Sequence, residues 1–409
     1  MKNSIRLLII LLAGILLIDA GVGFSVSNAA SKPKHKHKYK VIKLKKPTCT
    51  RKGKRILKCK ICGKKKKKTL KKLKHRVTTY KRGWYTYEKC RKCKRIVRKY
   101  LKKDIPSFWS TEVIRSVEKA ETRVELPGYV YFTDTHWNKS AKHSPAIVNY
   151  VTDQMQYPFA VFGGDVVTSY HDTAAGAKKE IQDFYAKLKV NVFSTTGNHD
   201  DNSNGNIDES TYLSHEDLFS LMYQREENFA ELEGQDVFSY TDDADNKIRY
   251  ISFYYDETEP VPDEIIALLK KRVDELDKHW IVVLFSHAYW HFLKAGTESR
   301  PSDYGSKLAE QLLEIQKNSD AYIALWHTGH IHRDYSSFIS DKKGENTILV
   351  VATSSDCYSK SVKWGGPVMK KGTSTEHIIE IVQIDRAESK VYMTRIGAGK
   401  DREFNYKYW

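Results

Sequence analysis

Val190-Asn191-Val192-Phe193-Ser194-Thr195-Thr196-Gly197-Asn198-His199-Asp200 is a β-branched and aromatic run that breaks into Gly-Asn-His-Asp. The run has strand propensity, and the glycine ends it. An amide, an imidazole and a carboxylate packed into three positions at a strand end suit a site rather than a core. The same arrangement recurs on both sides. Asp134-Thr135-His136 follows Tyr129–Thr133, and Gly163-Gly164-Asp165 follows Phe159–Phe162. Further on, Ser286-His287 follows Trp280–Phe285, and Gly329-His330-Ile331-His332 follows Tyr322–Trp326.

Between these runs the spacing of apolar residues predicts helices over 145–156, 174–188, 263–276 and 306–316, and a further strand over 248–253. Residues 347–353, 378–384 and 391–396 read as late strands in an antiparallel tail. Strands alternating with helices predict a layered α/β domain from about residue 104 to the end. Polar motifs at strand C-terminal ends fit the usual placement of ligands in open α/β sheets.

The charge divides the chain. Its net charge is +19, yet residues 31–103 hold 34 Lys+Arg against one acidic residue, Glu88. The remainder from Asp104 carries −15. Ahead of the basic stretch, Lys2 and Arg6 precede an apolar run, Leu7–Ile18, and a small-residue end, Ser27-Asn28-Ala29-Ala30. Those are the marks of a secretory leader. The expected division is therefore a leader at 1–30, a Lys-rich Cys/His module at 31–103 and an acidic α/β domain at 104–409, with a secreted or cell-surface location.

The basic module contains Cys49, Cys59, Cys62, Cys90 and Cys93. Cys59/Cys62 and Cys90/Cys93 are Cys-x-x-Cys pairs, and two such pairs can complete a tetrahedral structural zinc site. A second ligand set is Cys49, Cys59, Cys62 and His75. Disulfides are the competing reading in an exported chain. With few apolar residues the module needs one staple or the other. Its charge suits a polyanion such as a cell-envelope polymer, a membrane surface or nucleic acid. A solvated, partly disordered arm is the plainer expectation. The Cys/His pattern resembles short repeats on bacterial surface proteins.

Asp-x-His, Gly-Asp, Gly-Asn-His-Asp, a lone His after a strand, and Gly-His-x-His, in that order, resemble the calcineurin-like metallophosphoesterase family from about Tyr129 onward. The resemblance implies a four-layer β-sandwich flanked by helices, with two divalent transition metals (Mn, Fe or Zn) and a phosphate-ester substrate. It implies that Asp165 bridges the metals, that Asp134, His136 and His332 complete one site, and that Asn198, His287 and His330 complete the other. It implies attack by a metal-bridging hydroxide, with His199 as proton donor and Asp200 orienting it. Asp134 and His136, like His330 and His332, lie two apart, so extended backbone would turn each pair to one side. The other histidines, His327 and His377 among them, match no family position and read as ordinary. Cys357 reads as a buried thiol. Monoester and diester substrates are both open. A rival reading makes the chain a surface polyanion-binding protein whose phosphoesterase-like domain only binds ligand; the complete ligand set opposes it.

Overall fold

A computed structural model describes residues 35–409 apart from 103–104, 108, 138–140, 168–170, 205–207, 234–237, 256–259, 289–290, 293–299, 302, 358–364 and 408–409. The leader expected at 1–30 lies outside the described residues. The chain divides into two compact units, Met1–His75 and Arg76–Trp409.

The first unit is an antiparallel three-stranded sheet of β1 (Tyr39–Lys45), β2 (Gly53–Cys59) and β3 (Lys65–Leu70). The stretch expected to be a solvated arm thus forms a sheet from Tyr39 to Leu70. Ladder hydrogen bonds satisfy the backbone, while the lysines of β3 stand exposed in water.

The second unit begins with a similar sheet, β4 (Val77–Arg82), β5 (Tyr85–Cys90) and β6 (Ile96–Leu101). Trp84 Nε1 donates to Asp153 Oδ2 at 2.7 Å, Tyr85 hydrogen-bonds Tyr150, and Leu101 is buried among the helices that follow. The compact units therefore meet at 75/76, inside the stretch that charge marks as one module. Three apolar side chains outweigh the basic composition around them.

After α1 (Ser110–Ala120) come β7 (Gly128–Phe132), α2 (Ser144–Met155), β8 (Ala160–Phe162), α3 (Ala174–Tyr185), β9 (Val192–Ser194), α4 (His215–Leu218), β10 (Glu231–Glu233), β11 (Phe238–Asp243), β12 (Ile248–Phe253) and α5 (Asp263–Asp274). Then follow β13 (Ile281–Phe285), the short pair β14 (His291–Phe292) and β15 (Arg300–Pro301), α6 (Asp303–Asn318), β16 (Tyr322–Thr328), β17 (Tyr335–Ser340), β18 (Thr347–Ala352), β19 (Ile378–Asp385), β20 (Lys390–Gly397) and β21 (Arg402–Asn405). One sheet has the order β21-β20-β19-β7-β8-β9, the other β10-β11-β12-β13-β16-β18-β17.

Alternation along each strand builds four layers. Val130 and Phe132 pack outward against α1, α2 and α3, while Tyr129 and Tyr131 pack inward. On the facing sheet Val282 and Leu284 pack against α5 and α6, while Ile281, Val283 and Phe285 meet Tyr129 and Tyr131 in the central core. Residues 347–352 do not join the antiparallel tail. They lie parallel to β16 in the second sheet, and only β19, β20 and β21 form the tail on the first. No helix among the described residues is long and apolar enough to cross a membrane.

Candidate active site

Parallel pairing of β7, β8 and β9 puts Asp134, Asp165 and Asn198 just beyond one sheet end. Parallel pairing of β13 and β16 does the same for His287 and His330. The backbone then leaves extended geometry. Asp134 (φ 50°), His136 (φ 37°), Asp165 (φ 62°), His330 (φ 66°) and His332 (φ 55°) all sit in the left-handed region. Non-glycine residues pay about 1–2 kcal/mol for this, and such strain gathers at functional sites. The expected extended pairs are therefore corrected: tight turns aim these side chains.

Two side-chain groups result. Asp134, His136, Asp165 and His332 are buried, and one donor atom from each lies within 4.8 Å of the others. His332 Nε2 is 3.1 Å from Asp134 Oδ1 and 3.1 Å from His136 Nε2. In the second group Asn198 Oδ1 lies 3.2 Å from His287 Nε2 and 3.0 Å from His330 Nδ1. Asp165 touches both groups. Its Oδ2 is 3.7 Å from His136 Nε2, 3.5 Å from His287 Nε2 and 4.0 Å from His199 Nε2.

The donor set fits divalent ions. His136 Nδ1 donates to Val167 O at 2.9 Å and His287 Nδ1 to Gly163 O at 2.6 Å, which leaves each Nε2 turned toward Asp165. Fixing the far nitrogen is how proteins orient ligating imidazoles. Burial pushes His136 down to about 3, so it is a neutral donor. Burial works against a charge on His287 too, but Asp165 overrides it and raises that imidazole to about 10. Asp134 is held at about 2 because its His332 contact outweighs burial. The carboxylates thus make a buried negative centre that favours cations.

Asp200 anchors backbone next to the site. Its two oxygens accept from the backbone amides of Asp165 (2.9 Å), Val166 (2.7 Å), Val167 (3.2 Å) and Gly197 (2.9 Å). It holds the Asp165 turn through these contacts. Burial, with Asp165 nearby, raises its carboxyl to about 7.

Other supports carry no sequence signal. Ser355 Oγ donates to Asp134 O at 2.8 Å and Ser354 Oγ to His332 O at 2.7 Å. His327, read as ordinary, is buried and stacks on Tyr131 with ring centres 3.6 Å apart. It lies 2.8 Å from Thr353 Oγ1, which donates to Glu380 at 2.6 Å. Glu380 is gripped by Arg395 and Arg402. Cys357 is buried, as expected.

The expected zinc ligands are regrouped. Cys59 and Cys62 meet His35 and His37. Cys49 and His75 belong to the first unit, whereas Cys90 and Cys93 flank the β5–β6 turn of the second.

Four layers with two histidine–carboxylate groups at the strand ends define the class. The family model for calcineurin-like phosphoesterases matches residues 129–334, and the chain belongs to that family of metal-dependent phosphoester hydrolases. Among solved structures it is similar to a purple acid phosphatase from yellow lupin (Lupinus luteus) seeds, with 12% identity, a TM-score of 0.45, and coverage of 86% of this chain and 59% of that one. This chain spans about 59% of the lupin protein's length. Vps29 from Chaetomium thermophilum matches with 7% identity, a TM-score of 0.24, and coverage of 68% of this chain and 100% of that one. No curated protein matches the chain.

Proposed function

We propose that the second unit hydrolyses phosphate esters at a centre of two divalent metal ions. The observation that carries this reading is the buried group Asp134, His136, Asp165 and His332, with its donor atoms within 4.8 Å. These residues hold one ion. Asn198, His287 and His330 hold the other, with Asp165 shared. Mixed oxygen and imidazole donors suit Mn, Fe or Zn. Bound ions supply Lewis acidity to the phosphate oxygens and lower the pKa of a water.

The protein's own groups do the rest. Asp165 keeps the two ligand sets in register, and Asp200 keeps Asp165 in place through the backbone. His199 is partly exposed beside the shared carboxylate and protonates the leaving oxygen. The same reading has the chain exported, on the leader-like pattern at 1–30. The lysines of residues 31–103 then hold it to an anionic envelope polymer or membrane surface; the exposure of β1 and β3 supports that.

The test is turnover of an aryl phosphate monoester and an aryl phosphate diester by the full chain. Chelation should abolish it and added Mn, Fe or Zn should restore it. Asp165→Asn should cost roughly 10³-fold, since each metal centre supplies several kcal/mol. Full turnover by metal-free protein would remove the reading, and binding without turnover would favour the polyanion-binding alternative. The ratio of the two ester rates decides between monoesterase and diesterase.

A further inference from the structure

The first unit holds a compact Cys/His cluster remote in sequence from the phosphoesterase motifs. Cys59 ends β2, and Cys62 lies in the turn to β3. In that turn Cys59 N donates to Lys64 O at 2.9 Å, Gly63 N to Cys59 O at 3.1 Å, and Ile61 N to Cys59 Sγ at 3.4 Å. Gly63 has φ 75°. The backbone is folded so that an amide faces sulfur, an arrangement that favours thiolate over thiol.

Register supplies the other two donors. Tyr39 pairs with Cys59, and Lys60 N donates to Lys38 O at 2.8 Å, so the chain entering β1 runs alongside the turn. His35 Nε2 then lies 3.4 Å from Cys59 Sγ, and His37 Nδ1 lies 3.4 Å from Cys62 Sγ. One donor atom from each of the four lies within 4.8 Å of the others. Cys59 and Cys62 are thiols, not halves of a disulfide.

We infer that His35, His37, Cys59 and Cys62 bind one zinc ion that closes the N-terminal sheet. Two sulfurs and two imidazole nitrogens are a structural tetrahedral set for zinc. The sheet needs such a closure. Within residues 35–75 the only buried apolar side chains are Cys49 and Cys59, while Val41, Ile42, Leu44 and Ile61 are exposed. A sheet this short and this poor in apolar burial is not held by the hydrophobic effect alone. Charge balance also works. Residues 35–75 contain 20 Lys+Arg and no acidic residue, so a divalent ion needs its own counter-charge, and two thiolates neutralise it.

The second unit repeats the turn. Cys90 N donates to Arg95 O at 2.8 Å and Lys94 N to Cys90 O at 2.9 Å, with Lys94 at φ 62° in the position Gly63 occupies. A lysine adopts that conformation rarely, so the turn is set by something other than local preference.

The experiment uses the full chain, reduced and loaded with zinc. Alkylation of each cysteine is followed peptide by peptide, alongside zinc content and phosphoesterase turnover. Cys59 and Cys62 should be protected until a chelator is added. The double variant His35→Ala, His37→Ala should lose about one zinc per chain and that protection, because metal binding and local folding are coupled. Turnover should not change. The conservative His37→Cys should retain the zinc and, with cobalt in its place, strengthen the thiolate charge-transfer absorption. The catalytic centre has no sulfur donor, so this band does not report on it. Retention of zinc and protection by the double histidine variant would overturn the inference and return the thiols to Cys49 and His75. A Cys59–Cys62 disulfide in the zinc-loaded protein would overturn it as well.

Discussion

A Cβ on Gly197 would fall 2.1 Å from Oδ1 of Asp165. That is far inside van der Waals contact, so an alanine there must displace the carboxylate or the loop. Asp165 Oδ2 faces three imidazoles, and the displacement is felt by both ligand groups. Gly197→Ala should therefore fold, yet lose metal and turnover together. A misplacement of 1 Å costs roughly 10²-fold. Circular dichroism, elemental analysis and turnover on one sample check this; wild-type turnover would show that the close approach is not needed.

His199→Ala and Asp200→Asn should behave differently. Loss of a proton donor slows the reaction by about 10²–10⁴-fold. The loss should be greater for an alkyl phosphate than for a nitrophenyl phosphate, whose leaving group needs no proton, and metal content should hold. Asp200→Asn turns an NH2 toward backbone N–H groups, at about 1–3 kcal/mol per unsatisfied polar group. It should weaken metal retention and slow both esters equally. A leaving-group dependence in Asp200→Asn would instead support the orienting role that the sequence suggests for it.

Glu226 sets a pH dependence of stability. It is fully buried, accepting from Ser194 N at 2.6 Å and Ser239 Oγ at 2.7 Å. Burial raises its carboxyl to about 8. Between the ordinary glutamate value, near 4.5, and that raised value, the folded chain keeps a proton that the unfolded chain releases. Stability must fall as pH rises through this window, by at most about 1.4 kcal/mol per pH unit for one proton. Glu226→Gln should gain stability relative to wild type between pH 5 and pH 8. Urea midpoints of the two full chains at those pH values give the answer; parallel curves would refute it.

Two truncations separate the basic sheets. Removing residues 1–75 should leave turnover of a small ester intact, because the second unit keeps its own packing. Removing residues 1–103 takes away Trp84, Tyr85 and Leu101 as well. Deleting a buried leucine contact alone typically costs 2–5 kcal/mol, so the longer truncation should melt well below the shorter one. Equal melting temperatures would place the boundary where the charge pattern puts it.

The five motifs were legible because each is local. Gly-Asn-His-Asp after an apolar run states a strand end, a turn and a cluster of donors within a few residues. Short runs of β-branched and aromatic residues likewise exposed the strands that carry them. Less was legible where the deciding partner is distant. The four amides that occupy Asp200 include those of Asp165, Val166 and Val167, more than thirty residues earlier. Sequence adjacency put His199 beside Asp200, but backbone amides have no sequence signature that could announce the competition. His327 read as ordinary for the same reason, since Tyr131 and Thr353 reach it only through sheet packing.

The cysteines show the same division from the other side. Residue types and the Cys-x-x-Cys spacing determined that the basic stretch needs a staple and has the sulfurs to make one. Which histidines face Cys59 and Cys62 was decided by the register that pairs Tyr39 with Cys59, bringing His35 and His37 to the turn. Charge marked residues 31–103 as one module because composition counts every residue equally. Folding does not: burial of Trp84, Tyr85 and Leu101 bound the second basic sheet into the larger unit, and burial is a property of the neighbours a side chain finds in space.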